Sequence, residues 1–322
     1  MLKTLTSCLL ALGATSLVGV IAPAQAFTPL SLTQTFNNPT AEDYHQFGNS
    51  VSLSGTSALI GAPYDNTGAT SAGSAYLFDT TTGNLLQTFN NPTPEDGDSF
   101  GSSVSLSGTS ALIGAIFDNT GATDAGSAYL FDTTTGNLLQ TFNNPTPEDL
   151  DNFGISVSLS GTSALIGAIF DNTGAPFYSR RYVGSAYLFD TTTGNLLQTF
   201  NKPTPEDGDN FGNSVSLSGT SALIGAPGDD TGATGAGSAY LFDTTTGNLL
   251  QTFNNPTPQI NDQFGASVSL SGTSALIGAS VYLYEPVPQT VPEPSFTILG
   301  TGVVLGALPV LKKGKKTKDK DA

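Results

Sequence analysis

Short alternations of apolar and polar residues recur along the central part of the chain. Val51 to Leu53 alternate with a period of two, and Ser54-Gly55-Thr56 follows as a tight turn into the apolar run Ala58-Leu59-Ile60. A period of two is that of a β-strand, in which successive side chains point to opposite faces. The pattern therefore predicts an antiparallel hairpin.

A second hairpin is predicted further along the same unit. Ser74 to Phe78 alternates, and Leu85 to Phe89 returns after a polar turn that contains Gly83. Gly83 is free to adopt the positive φ that such a turn requires. Apolar positions at helical spacing are absent from this region. Each unit is therefore predicted to hold four short strands.

The two hairpins belong to an internal repeat. The segment VSLSGTSALIGA occurs five times without a change, beginning at Val51, Val104, Val157, Val215 and Val268. Each copy follows a Phe-Gly pair, at Phe47, Phe100, Phe153, Phe211 and Phe264. Units of about 50 residues with four antiparallel strands are typical of β-propeller blades. The predicted fold is all-β, a five-bladed β-propeller of four-stranded blades over residues 47–285.

The two ends of the repeat array predict how the ring closes. The fifth unit supplies two strands and a shortened third, from Ser280 to Tyr284, and then stops. The segment from Ser31 to Asn37, within the N-terminal stretch 27–46, matches the missing fourth strand. Pairing it into the fifth blade would close the ring and protect both strand edges. We therefore expect closure by the N-terminal strand.

The repeat also carries a family resemblance. Phe47-Gly48 is followed by Gly61-Ala62-Pro63, so the region resembles the FG-GAP repeats of integrin α-subunit propellers and their bacterial relatives; Ile116 and Ile169 replace the proline in two copies. Many members place an Asp-x-Asp-x-Asp-Gly calcium loop between the two motifs. Here that stretch is Leu-Ser-Gly-Thr-Ser, without a carboxylate. The resemblance therefore implies no calcium at that position.

Charge is distributed unevenly along the chain. The 322 residues include 26 acidic and 10 basic ones, a net charge of −16, and residues 27 to 294 hold only Arg180, Arg181 and Lys202 among the bases. Such an acidic region repels nucleic acid, which excludes that class of partner. One Cys and one His exclude a disulfide scaffold, a Cys/His zinc site and a Cys-His nucleophile.

The acidic residues concentrate in loops between the units. Closely spaced carboxylates suit a hard cation such as Ca²⁺, but these loops lack the bidentate acid of an EF-hand, and solvated acidic loops are the alternative. A second acidic loop, which begins at Asp65, Asp118, Asp171 and Asp229, is interpreted as turn chemistry, because Asx side chains cap their own backbone. The candidate calcium ligands are Glu95, Asp96, Asp98, Glu148, Asp149, Asp151, Glu206, Asp207 and Asp209.

Nothing in the repeat favours catalysis. One reaction needs differently tuned groups, whereas most polar residues here recur in equivalent copies. The sole histidine, His45, is expected at the surface, and no catalytic residue is predicted. A binding module is therefore the preferred function. A polysaccharide-active enzyme with paired carboxylates and a purely structural matrix component are the alternatives.

The third unit breaks the symmetry with a longer loop. This loop contains three aromatic residues and both arginines of the chain, which are side chains that dominate binding interfaces. Acidic polysaccharide or a protein is the expected partner, and a loop folded onto its own blade is the alternative. The predicted partner-binding residues are Phe177, Tyr178, Arg180, Arg181 and Tyr182.

The start of the chain has the features of an export signal. Lys3 precedes an apolar stretch from about Leu9 to Ile21 and the small-x-small pattern of Ala24 and Ala26. This order predicts a signal peptide over residues 1–26, removed by signal peptidase. The mature protein then lacks the only cysteine, which suits an oxidising compartment.

The last segment, residues 286–322, has a different signature. The motif of Val291, Pro292, Glu293 and Pro294 precedes an apolar run and a lysine cluster. Together they resemble the PEP-CTERM sorting signal of Gram-negative bacteria. The resemblance implies processing by an exosortase and delivery to the cell surface or matrix, after transient attachment to the membrane through the apolar helix. A plain membrane anchor is the alternative.

Overall fold

The computed structural model describes residues 31–40, 44–172, 182–279 and 281–287. These residues form antiparallel β-sheets joined by turns and loops, five sheets in all, and they contain no helix. In this part of the chain there is accordingly no helix of the length and apolar character needed to cross a membrane. Repeated four-stranded sheets are consistent with a β-propeller, and the all-β prediction is confirmed.

Each sheet is a meander in which strands consecutive in the chain are neighbours. The first consists of β1 (Val51–Ser54), β2 (Ser57–Ala62), β3 (Ser74–Asp79) and β4 (Leu85–Asn90). The second consists of β5 (Phe100–Ser107), β6 (Ser110–Ala115), β7 (Ser127–Asp132) and β8 (Leu138–Asn143). The third consists of β9 (Phe153–Ser160), β10 (Ser163–Ala168), β11 (Ser185–Asp190) and β12 (Leu196–Asn201). The fourth consists of β13 (Val215–Ser218), β14 (Ser221–Ala226), β15 (Ser238–Asp243) and β16 (Leu249–Asn254). The fifth has three strands, β17 (Ser267–Ser271), β18 (Ser274–Gly278) and β19 (Tyr282–Tyr284).

The turn between β3 and β4 forms as the sequence predicts. The carboxylate of Asp79 accepts the backbone N–H groups of Thr81 and Thr82, at 2.8 and 2.7 Å. Gly83 then adopts a φ of 76°, which a residue with a side chain rarely does. The same turn recurs in the second, third and fourth sheets, because its residues are repeated without change.

Two glycines of the repeat meet between consecutive sheets. A Cβ atom on Gly61, in the Gly-Ala motif, would lie 2.0 Å from the carbonyl oxygen of Gly101, in the next Phe-Gly motif. A Cβ atom on Gly101 would in turn lie 2.4 Å from the carbonyl oxygen of Ser74. The two motifs therefore contain glycine because the backbones of neighbouring sheets approach too closely for a side chain.

Side chains of the repeat also bind consecutive sheets together. Phe89 in β4 packs on Phe131 in β7, with ring centroids 5.0 Å apart. The hydroxyl oxygen of Ser52 in β1 accepts the backbone N–H of Leu106 in β5, at 2.9 Å. Each sheet is thus attached to the next by an aromatic contact and by a hydrogen bond between the first strands.

The first sheet has an uncovered flank. Val51 and Leu53 in β1 are 67% and 72% exposed, whereas the equivalent Val104 and Leu106 in β5 are 7% and 6% exposed. The difference arises because β5 packs against β1, while no described strand packs against the other side of β1.

The predicted closing strand is not formed. Residues 31–38 contain no strand, and the fifth sheet ends at β19. Phe36 instead packs on Phe78 of the first sheet, with centroids 5.0 Å apart, the same contact that fourth-strand phenylalanines make with the following sheet. The expected pairing with the fifth sheet is therefore wrong. The match in sequence reflects the aromatic contact rather than a hydrogen-bonded ladder.

Candidate functional site

Two sets of loops meet at one end of the sheets. The loop that leads into each first strand and the loop that joins the second strand to the third lie at this end, because neighbouring strands are antiparallel. In the second sheet the loop before β5 contributes Asp98 and the loop between β6 and β7 contributes Asp118, and these residues are 1% and 3% exposed. The site therefore begins as two buried carboxylates from loops about 20 residues apart in the chain.

The carboxylates of the second sheet have defined hydrogen-bond donors. Asp98 Oδ2 accepts from Asn91 Nδ2 and from the backbone N–H of Glu95, each at 2.7 Å. Asp118 Oδ2 accepts from the hydroxyl of Tyr129 at 2.6 Å. The second oxygen of Asp98, Oδ1, is buried and has no hydrogen-bond partner among the described residues. Such an atom is uncommon in folded proteins and calls for an explanation.

Burial dominates the electrostatics of this pair. It raises the pKa of Asp98 to about 6, and the negative charge of Asp118 adds to the rise, while the hydrogen bonds from Glu95 and Asn91 oppose it. Burial and the hydrogen bond to Asp118 also raise the pKa of Tyr129, which therefore remains a donor. The site concentrates negative charge where water provides little screening.

The third sheet repeats the arrangement. Asn144 Nδ2 donates to Asp151 Oδ2 at 2.7 Å, and the hydroxyl of Tyr187 donates to Asp171. Burial raises the pKa of Asp151 to about 7, with a further contribution from the charge of Asp171. Asp151 Oδ1 is, like its counterpart in the second sheet, a buried oxygen without a described donor.

The fourth sheet replaces the asparagine with Lys202. Its Nζ lies 2.8 Å from Asp209 Oδ1 and 3.0 Å from Asp229 Oδ2, and all three side chains are buried. Burial lowers the pKa of Lys202, but its hydrogen bonds to both aspartates outweigh this effect and raise it. At Asp229 burial is likewise outweighed by hydrogen bonds from Thr231, Tyr240 and Lys202, which lower its pKa. At Asp209 burial prevails over the lysine and raises the pKa.

The first sheet places His45 where the later sheets have aspartate. Asn38 and His45 have the same spacing as Asn91 and Asp98, and His45 Nδ1 lies 3.4 Å from Asp65 Oδ2. The histidine is only 4% exposed, so the expected surface position is wrong. Its loop turns the side chain inward because this position faces the neighbouring loop in every unit. Alignment of the segment before the first Phe-Gly pair with later units is the signal that would have located it.

Asp65 shows that the turn interpretation is correct but incomplete. Its Oδ1 accepts the backbone N–H and the hydroxyl of Thr67, at 2.8 and 2.6 Å, as an Asx turn does. Its Oδ2 accepts the hydroxyls of Thr40 and Tyr76, at 2.5 and 2.6 Å. Burial raises the pKa of Asp65, but the hydrogen bonds outweigh burial and lower it to about 2.

The three acids predicted as ligands in each loop do not converge. Asp96 Oδ1 accepts the backbone N–H of Thr70 at 2.9 Å, and Glu95 Oε2 accepts from Asn119 Nδ2 at 3.1 Å, whereas Asp98 is buried. In the part of the chain that the structure describes, no three carboxylate, imidazole or thiol groups form a metal cluster. The equivalent exposed acids are Glu148, Asp149, Glu206 and Asp207. The equivalent buried acids are Asp151 and Asp209.

The position of the family's calcium loop does not fit a metal ion here. It corresponds to the hairpin between β1 and β2, where Ser54 pairs with Ser57 across the two turn residues Gly55 and Thr56. This turn supplies no carboxylate and lies at the opposite end of the sheet from Asp65.

A cleft lies beside the loops of the third sheet. Its volume is about 460 Å³, and its lining includes Pro147, Glu148, Asp149, Phe170 and Tyr182. The ring of Tyr182 packs edge-on against Phe170 with centroids 4.7 Å apart and is 51% exposed. The predicted partner-binding residue Tyr182 therefore lines a cavity. The other predicted partner-binding and processing residues lie outside the described part of the chain: Phe177, Tyr178, Arg180, Arg181, Ala24, Ala26, Pro292, Glu293 and Pro294.

Comparison with known proteins finds one family. The sequence model described as FG-GAP repeat matches residues 38–78, 93–131, 147–189 and 204–242, which together make up half of the chain. Each match begins at or before the loop that carries the buried acid or its equivalent and ends within the third strand. No curated protein matches the sequence.

Proposed function

Because the chain belongs to the FG-GAP repeat family, we propose that it is an integrin α-like propeller of five blades that acts as an exported, non-enzymatic binding module. The proposed location is the cell surface or the extracellular matrix, and the proposed ligand is a polysaccharide. The observation that supports this function is the cleft between Glu148 and Tyr182.

The cleft combines the two kinds of groups that bind sugars. The rings of Phe170 and Tyr182 offer apolar surface for the face of a sugar ring, and Tyr182 is half exposed. The exposed carboxylates of Glu148 and Asp149 accept hydrogen bonds from sugar hydroxyls. Ligand sites of this size are lined by aromatic side chains and a few placed polar groups. The carboxylates favour a neutral polysaccharide over an acidic one.

Binding is tested with the purified full chain on an array of bacterial polysaccharides. We expect retention of a neutral polysaccharide, weakened at least about tenfold by Tyr182→Ala, since aromatic residues are frequent hot spots. The control is Tyr64→Ala, because Tyr64 is a partly exposed aromatic residue of the first sheet, in the position that Phe170 takes in the third. Absence of any binding, or unchanged binding by Tyr182→Ala, would refute the proposed ligand.

The same polysaccharides distinguish binding from cleavage. A binding module leaves their chain length unchanged on prolonged incubation. Release of reducing ends that is lost in Asp96→Ala or Asp207→Ala would favour the alternative of a polysaccharide-active enzyme. A protein that neither binds nor cleaves them would favour the purely structural matrix component.

Export is proposed from the two chain ends. Signal peptidase would remove residues 1–26, and an exosortase would process the PEP-CTERM-like tail after Pro292, Glu293 and Pro294 have been recognised. Sequencing of the protein recovered outside the cell is expected to begin at Phe27. Retention of the lysine-rich tail in the mature protein would instead indicate a permanent membrane anchor.

A further inference from the structure

Consecutive sheets are joined by the same interface throughout the chain. One face of each sheet, here termed the leading face, contains a leucine of the second strand and packs on the next sheet. The face that receives it, here termed the trailing face, contains a leucine of the first strand. Between the first two sheets, Leu59 and Leu77 of the leading face share one buried cluster with Val104 and Leu106 of the trailing face.

The two ends of the series leave one face of each kind uncovered. On the trailing face of the first sheet, Leu53 is 72% exposed, and on the leading face of the fifth sheet Leu276 and Leu283 are 43% and 60% exposed. Their equivalents in the first sheet, Leu59 and Leu77, are 0% and 1% exposed. The two end faces therefore do not bury each other within one chain. Exposed apolar surface of this kind marks an interaction site.

The glycines of the interface show the same complementarity. Inside the series, a Cβ atom on Gly225 of the fourth sheet would lie 1.9 Å from the carbonyl oxygen of Gly265, in the next Phe-Gly pair. The equivalent glycine of the fifth sheet, Gly278, has no described atom within 3.4 Å of its Cβ position, its chain neighbours aside, and Gly48 of the first Phe-Gly pair has none within 4 Å. The end faces thus present the two glycines that meet at each interface inside the chain.

The place beside the first sheet fits a sheet of three strands. Phe36 packs on the first sheet as fourth-strand phenylalanines pack on the sheet that follows them. A Cβ atom on Gly83 would lie 2.8 Å from Gln34 Oε1, and one on Gly136 in the second sheet would lie 2.9 Å from Oε1 of the fourth-strand Gln87. The segment with Gln34 and Phe36 therefore occupies the place of a preceding sheet's fourth strand. The fifth sheet has three strands, so it fits beside this segment without overlap.

We propose that the leading face of the fifth sheet docks on the trailing face of the first sheet of a second copy of the chain, so that copies associate head to tail. Leu53 of one copy then shares a buried cluster with Leu283 of the other. Ser269 is equivalent to Ser52, whose hydroxyl accepts the backbone N–H of Leu106, so it would accept the backbone N–H of Leu53. Two different faces meet, and the contact therefore continues into a filament or closes into a ring of copies. It does not depend on the proposed polysaccharide ligand.

Sedimentation velocity of the purified full chain over a range of concentrations tests the proposal. We expect wild-type oligomers whose share increases with concentration. Leu53→Asp blocks the trailing face alone and Leu283→Asp blocks the leading face alone, and each variant is expected to be monomeric. Both side chains are largely exposed, so the variants are expected to keep the wild-type circular dichroism spectrum. The matched control is Leu139→Asp, which changes a 49% exposed leucine of β8 and is expected to keep the oligomers.

Mixing the two blocked variants makes the test specific for the head-to-tail contact. Each keeps one intact end face, so equal amounts of Leu53→Asp and Leu283→Asp are expected to form a one-to-one dimer and nothing larger. Gly278→Ala is a second variant of the leading face and is expected to be monomeric, because its Cβ atom would meet the Phe-Gly backbone of the other copy. A wild type that stays monomeric overturns the proposal, whether the end faces are covered within one chain or bind nothing. So does association that persists in Leu53→Asp or Leu283→Asp, or a mixture of the two that stays monomeric.

Discussion

The second and fourth sheets present the same buried pair of aspartates beside different neighbours. Asp98 and Asp209 both accept a backbone N–H at the start of their loops, but Asp98 adjoins an asparagine and Asp209 adjoins Lys202. The loops that contain Asp98 and Asp209 make the same backbone hydrogen bond in both sheets. This hydrogen bond, and not the lysine, therefore determines the shape of the loop. The lysine adds a positive charge and donates to Asp209 Oδ1, whereas the described residues provide no donor for the equivalent oxygen, Asp98 Oδ1.

The largest effect is expected when the lysine loses its charge. Lys202→Met leaves two buried carboxylates without a cation, and breaking a buried pair in this way costs about 3–5 kcal/mol of unfolding free energy. Urea unfolding in calcium-free buffer measures the loss. The matched control is Asn144→Met, which removes an amide donor but no charge and is expected to cost about 1–2 kcal/mol. Equal losses in the two variants would show that Lys202 acts through packing alone.

The converse change is expected to stabilise the protein. Asn91→Lys supplies the second sheet with the missing donor, and a hydrogen bond to a charged group contributes about 1.5–3 kcal/mol. Urea unfolding without calcium is again the measurement. Asn255→Lys is the control, because Asn255 donates to Asp262 but the sequence of the fifth unit has no second aspartate between its second and third strands. A larger gain in the control than in Asn91→Lys would contradict the charge argument.

Each of the two buried aspartate pairs, in the second and the fourth sheet, also accepts a hydrogen bond from a tyrosine, and removing this tyrosine tests the role of Lys202. Tyr129 donates to Asp118 at 2.6 Å, and Tyr240 donates to Asp229 at 2.5 Å. Asp229 retains Lys202 when its tyrosine is removed, whereas the described residues provide no cationic partner for Asp118. Tyr129→Phe is therefore expected to cost about 1 kcal/mol more than Tyr240→Phe in calcium-free unfolding experiments. A reversed order would mean that the lysine does not compensate for the lost hydroxyl.

The strands and turns were predictable from the sequence because they depend on neighbours in the chain. The alternation in β1 and the glycine in the turn after Asp79 act over a few residues, and the structure confirms both. The prediction of the closing strand was wrong because this strand depends on a partner far away in the chain. Its formation requires a hydrogen-bonded partner distant in the chain, and the match of residues 31–37 to β4 contains no information about that partner.

The candidate site was only partly predictable, for a related reason. The sequence identifies the acidic residues, but its patterns describe each loop by itself, as a calcium loop or as a turn. The buried pairs form between two loops, as with Asp98 and Asp118. The residue type of an acid in a loop does not indicate whether its side chain is buried or exposed. His45 and Lys202 were the available signals, since both stand where other units have a different residue.

The smallest expected effect concerns the first sheet, where His45 stands beside Asp65. The folded-state pKa of Asp65, about 2, lies below the ordinary value of 3.8, so the unfolded chain takes up the proton first as the pH falls. Its contribution to stability is therefore complete above about pH 5 and is lost between about pH 4 and pH 2. Asp65→Asn is expected to lower the unfolding free energy by about 1 kcal/mol at pH 6 and to make little difference near pH 2. Unfolding of the wild type, Asp65→Asn and the exposed-site control Asp207→Asn across this range measures the effect, and a difference that grows as the pH falls would contradict it.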